Sequence, residues 1–115
     1  MHSQQLFMLM TSTSSLNSNL TNLTIKKIRI NKDNSYTIPK ATYGGLIILG
    51  LTQSYGGTAV LVRTSGTGVW TSNLDGGAPW TDARLSFSKN EGDLIISTPQ
   101  YSNYSEYLIM YYFVE

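Results

Sequence analysis

The chain has no cysteine, a single histidine and few charges, and each shortage removes a class of protein. Without cysteine there are no disulfides and no thiolate metal sites, so stability must come from packing or from association between chains. Charged residues make up 13% of the sequence, eight basic against seven acidic. A nucleic-acid partner would require Lys and Arg gathered on one face, and none is expected. The densest basic run is Lys26, Lys27, Arg29 and Lys32. It reads as a solvated strand edge, where lysine discourages pairing with other chains. Leu6-Phe7-Met8-Leu9-Met10 is far too short to span a bilayer, so no membrane insertion is expected. A signal peptide would need a basic start and a longer apolar stretch, whereas His2 is the only ionisable side chain before Lys26.

The same shortages bear on catalysis. A Ser-His-Asp triad would have to be built on His2, at the very start of the sequence. There is no Gly-x-Ser-x-Gly elbow, dinucleotide fingerprint or His-Glu-x-x-His zinc motif. Thr64-Ser65-Gly66-Thr67-Gly68 lacks the lysine of a phosphate loop and reads as a turn. Two carboxylate pairs, Asp75 with Asp82 and Glu91 with Asp93, have the composition a glycosidase uses. Asp-Gly and Glu-Gly-Asp are equally ordinary turn chemistry, and that reading is preferred. The expectation is a protein that is not an enzyme and needs no metal or cofactor.

What the sequence has is strand. Tyr, Thr, Ile and Val are frequent, ten glycines punctuate them, and the helix formers Ala and Glu are scarce. A length of 115 residues suits one domain. Residues 1–24 stand apart as a neck or linker, with a head domain over 25–115. Leu6, Leu9, Thr13, Leu16, Leu20 and Leu23 follow one another at intervals of 3, 4, 3, 4 and 3. That is the seam of a coiled coil, although the Ser, Thr and Asn between these residues also suit a flexible linker. A helix here would need identical neighbours to bury its leucines.

Beyond Leu23 the period changes to two. Leu23-Thr24-Ile25 and Ile28-Arg29-Ile30 alternate, with Lys26-Lys27 breaking the phase in a way that suggests a bulge or an edge kink. Asn31-Lys32-Asp33-Asn34 is a turn, and Tyr36-Thr37-Ile38 a short strand stopped by Pro39. Leu46–Leu51 and Ala59–Val62 are continuous apolar runs, read as a hairpin with little water on either face. Thr64 to Ala83 is the longest irregular stretch, holding only a short Val69-Trp70 element. Leu85–Ser88 and Leu94–Ser97 flank a turn, and Tyr107–Val114 forms a long strand expected near the middle of a sheet. Strands at this spacing make an all-β sandwich or jelly-roll-like domain.

Binding is easier to support than catalysis. Trp and Tyr rings pack on the apolar face of a sugar, while Asn, Asp and Arg engage its hydroxyls. Asn73, Asp75, Trp80, Asp82 and Arg84 fall together in one loop, and Tyr101 and Tyr104 in another. Trp70, flanked by Val69, is read as a core residue. Tyr101, Tyr104 and Tyr107 are three apart, so they cannot all face one side of a strand, and one or two should be exposed. The same tyrosines could instead cover a subunit interface. Asn19, Asn22 and Asn103 head glycosylation sequons of the kind that polar tracts produce by chance.

Several runs, taken in order, resemble a known group. Leu-Asn-Ser-Asn-Leu (Leu16 to Leu20) leads into Leu-Thr-Ile-Lys-Lys, then Tyr-Thr-Ile-Pro, Tyr-Gly-Gly-Leu-Ile-Ile-Leu and Gly-Gly-Thr-Ala-Val-Leu. The order is similar to that in C-terminal domains of bacteriophage tail-fibre and receptor-binding proteins. The resemblance implies a homotrimer whose head recognises a host-surface glycan or protein, carried on the virion's tail fibre. A structural cap of a fibre, or a lectin-like adhesin, are the alternatives. The seam makes one prediction: replacing Leu16 and Leu20 by Ser should lower the melting temperature and make it concentration-dependent. Thermal melts across a dilution series check this, and an unchanged melt would mark the segment as a linker.

Overall fold

A computed structural model describes residues 23–51, 59–74, 85–100 and 102–115, and the leucines at 6, 9, 16 and 20 lie outside it. The described chain is all-β, with no helix among the described residues. Its eight strands are β1 (Thr24–Ile30), β2 (Tyr36–Ile38), β3 (Tyr43–Gly50), β4 (Ala59–Ser65), β5 (Gly68–Asn73), β6 (Ser86–Asn90), β7 (Asp93–Ser97) and β8 (Ser105–Val114). They form two antiparallel sheets, ordered β1-β8-β3-β4-β5 and β2-β7-β6. The long apolar C-terminal strand is interior, paired along both edges.

Period-two alternation builds the core between the sheets. Ile28 and Ile30 from β1, Leu46 and Ile48 from β3, Val60 and Val62 from β4, and Tyr107 and Ile109 from β8 are buried on one side. Ile38, Leu94 and Ile96 meet them from the smaller sheet. Each such side chain contributes about 1.5–3 kcal/mol of transfer free energy. Two lysines add polar contacts around this core. Lys26 donates to the Tyr36 hydroxyl at 2.9 Å, which raises the pKa of its ammonium above the ordinary lysine value. The Lys89 ammonium donates to the Ala41 carbonyl, and its burial there lowers its pKa.

Three expectations need correcting. β1 pairs with β8 in unbroken register from Thr24↔Tyr111 to Ile30↔Ser105, so Lys26-Lys27 makes no bulge. The phase holds because β1 is an edge strand: Lys26 takes an inward position and still reaches solvent and Tyr36 at the rim, while Ile25 points out, 59% exposed. Thr64 onward is less irregular than its composition suggests. β4 runs to Ser65, residues 66–67 turn the chain, and β5 continues through Asn73. Trp70 is not in the core but 52% exposed, because its neighbour Val69 faces inward and successive strand residues point to opposite faces.

The connections sort by end. At the end where Leu23 enters and Val114 finishes β8, the strands are joined by short turns over residues 39–42, 66–67 and 91–92. The connections over residues 31–35, 51–58, 74–85 and 98–104 join strands that start or stop at the opposite, distal end. At the Leu23 end the backbone of β3 crowds β8. Gly44 has φ 142, and a Cβ there would collide with the Tyr112 carbonyl oxygen and lie 2.9 Å from Phe113 Cα. Gly44→Ala is therefore expected to destabilise the fold by about 2 kcal/mol or more, read as a lowered urea midpoint.

Candidate functional site

At the distal end a polar and aromatic cluster is assembled from β1, the start of β8 and the connection before it. Arg29 lies on the outward face of β1, directly opposite Glu106 on β8. Its guanidinium carbon sits 4.4 Å from the centroid of the Tyr104 ring, a cation–π contact. Lys27, two residues back on the same face, pairs with Glu106 at 3.3 Å. Both partners of that pair are well exposed, so it orients Glu106 more than it stabilises the fold.

Asn31 holds the connection that carries Tyr104. Its side chain is buried, and Nδ2 donates to the Ser102 carbonyl at 3.0 Å. Its Oδ1 accepts from the Asp33 N–H at 2.9 Å, and its own N–H donates to Asn34 Oδ1 at 2.7 Å. The turn after β1 is thereby tied to the segment before β8, a contact between residues 71 apart in sequence. The result is a tyrosine ring half open to solvent, with a guanidinium against it and a carboxylate and an ammonium alongside. Such a set offers an apolar ring surface, charged donors and an acceptor to a ligand carrying both C–H faces and hydroxyl or carboxylate groups.

The expected site residues divide as follows. Tyr104 is exposed as anticipated, and Tyr107, three residues on, is fully buried in the core. Asn73 ends β5 at the same distal end but is three strands from β8, about 14 Å across the sheet. Asp75, Trp80, Asp82, Arg84 and Tyr101 lie outside the described residues. Of the second carboxylate pair, Asp93 accepts from the Lys40 N–H in the turn region at the Leu23 end, remote from Tyr104. Arg29, Glu106 and Asn31 were not anticipated as site residues. Arg29 was visible only as part of a basic run, and its meeting with Tyr104 depends on the β1–β8 pairing. Among the described residues no three His, Cys, Asp or Glu side chains gather as a metal site would need.

No family model matches this chain, and no curated protein shows significant similarity to it. Among solved structures it is similar to a tailspike protein from the Acinetobacter baumannii bacteriophage Fri1, a capsular polysaccharide depolymerase. The TM-score is 0.40 and the identity 11%, with 80% of this chain and 18% of that chain covered. A likeness of that size carries no inference about fold or activity.

The Arg29–Tyr104 contact has a measurable energy. A double-mutant cycle with Arg29→Ala and Tyr104→Ala should return a coupling of about 0.5–1 kcal/mol in unfolding free energy. A coupling near zero would show that the two side chains contribute independently to stability and that Tyr104 is not held by Arg29.

Proposed function

We propose that this chain is the receptor-binding head of a bacteriophage-type tail fibre, recognising a host-surface glycan or protein through its distal end. The observation that carries the reading is the segregation of the connections. Short turns occupy the end where the chain enters from its leucine-rich N-terminal segment, and the longer connections join strands at the far end. A head mounted on a fibre must present its contacts away from the mount, and loops on a rigid sheet are where binding residues concentrate. The half-exposed Tyr104, braced by Arg29 and flanked by Glu106, stands at that far end. The order of sequence runs that resembles phage fibre heads supports the same reading.

In this proposal the protein binds and does not catalyse, and it acts as a homotrimer on the virion. Tyr104 stacks on an apolar face of the ligand, and Arg29 and Glu106 fix its orientation. Asn73, at the end of β5, and Asp75, Trp80, Asp82, Arg84 and Tyr101, in the connections before β6 and β8, are expected to complete the contact.

The test is binding of the purified protein to host cells, comparing wild type with Tyr104→Ala, Trp80→Ala and Arg29→Ala. Loss of a stacked aromatic should cost about 2 kcal/mol, roughly thirtyfold per site, with melting temperatures close to wild type. Avidity among three heads would enlarge the loss. Wild-type binding by all three variants would remove the site. Absence of any cell or glycan binding by the wild type would favour a structural cap.

A further inference from the structure

The five-stranded sheet is apolar on both faces, and the smaller sheet covers only one of them. On the outward face Ile25, Met110, Ile47 and Leu61 stand in one row across four strands, each the register partner of the next. Leu108, Leu49 and Ala59 form the row on the distal side. Tyr112, Gly45, Arg63 and Trp70 form the row on the other. The Trp70 indole packs against Gly68, where any Cβ would strike the ring. Between the rows is an open hollow of about 450 Å³, lined by Ile47, Leu61, Met110 and Tyr112 and reached at its edge by Leu23. Arg63 is the one charge inside these rows among the described residues. Lys27, at the β1 corner, is already paired with Glu106.

Strands about 4.8 Å apart and rows two residues apart make this face roughly 20 Å on a side, on the order of 400 Å² in plan. That is within the range of the largest apolar patches on soluble monomers, which are themselves often functional. Its makeup is that of a sheet buried on both sides. We propose that this outward face is the surface through which copies of the chain associate, with Ile47, Leu61 and Met110 at its centre.

Three observations select another copy over a foreign partner. Branched aliphatics and Met with hardly a charge describe an obligate interface, which resembles a domain core cut in half, rather than the mixed surface of a transient one. The second layer is slight, with strands of three, five and five residues against ten for β8. A thin sandwich of this kind gains stability from burial between subunits. Finally, Leu23 ends the 3-4 leucine spacing and also touches the hollow, so copies gathered along that seam would meet at this face. The inference stands apart from what the distal loops bind.

Sedimentation of the 115-residue chain and of its Ile47→Lys variant tests it. The wild type should sediment as an oligomer of about three chains. Ile47→Lys should fall to one chain, roughly a threefold drop in mass, with its strand circular dichroism kept. Ser88→Lys, on the outer side of the smaller sheet, should keep the wild-type mass. Because the chain has no cysteine, single thiols report burial even if Ile47→Lys fails to fold. The Ile25→Cys thiol should react with maleimide at least tenfold more slowly than the Ser88→Cys thiol. A monomeric wild type overturns the proposal. If its Ile25→Cys thiol is nevertheless protected, residues 1–22 of the same chain cover the face. An oligomer in which both thiols react alike also overturns it, because association would then run through other residues.

Discussion

β8 is hydrogen-bonded along both edges, to β1 over seven register pairs and to β3 over eight, and the other strands of the larger sheet take their places from it. The pairing with β1 brings the start of the head domain against its end, closing the larger sheet on one side. The pairing with β3 sets the register of the β3–β4–β5 meander beyond it. Because β8 alternates, Tyr107 and Ile109 are delivered to the core, and Met110 and Tyr112 to the opposite face. A slip of one residue would exchange these sets and put Glu106 into the core.

The Arg29–Tyr104 cluster depends on the same ladder. Arg29 and Glu106 face each other only because Ile30 is paired with Ser105, and Tyr104 is the residue immediately before that strand begins. Asn31 then fixes the approach to β8 by holding the Ser102 carbonyl. The core register and the distal surface are in this way one arrangement. Side chains that carry no burial energy of their own are positioned by those that do.

Much of the fold was legible in the sequence. Two-residue alternation, Gly-rich turns and the three long apolar runs mark an all-β sandwich with β8 inside. The errors have specific causes. Lys26-Lys27 looks like a break in phase because a lysine at an inward position contradicts the pattern, yet at a sheet edge the ammonium reaches past the core to Tyr36. Trp70 looks like core by size and hydrophobicity, yet with Val69 packed inward the strand alternation turns it outward. The apolar runs of β3 and β4 read as a hairpin with little water on either face, and the single chain shows how each face is met. The smaller sheet covers one face, and Ile47 and Leu61 on the other line the open hollow proposed as the association surface.

The site was less legible. Composition located aromatic and polar residues in the connections before β6 and before β8, and of these Tyr104 stands at the distal end, half exposed. It did not indicate that Arg29, 75 positions earlier, would lie against that ring. Local chemistry sets which residues can be strands and which can be turns, since propensity and alternation are properties of neighbours along the chain. Which strand lies beside which, and therefore which side chains meet across a sheet, follows from pairings between distant residues. Those pairings are settled by burying one apolar face as a whole, and no short stretch of sequence contains that information.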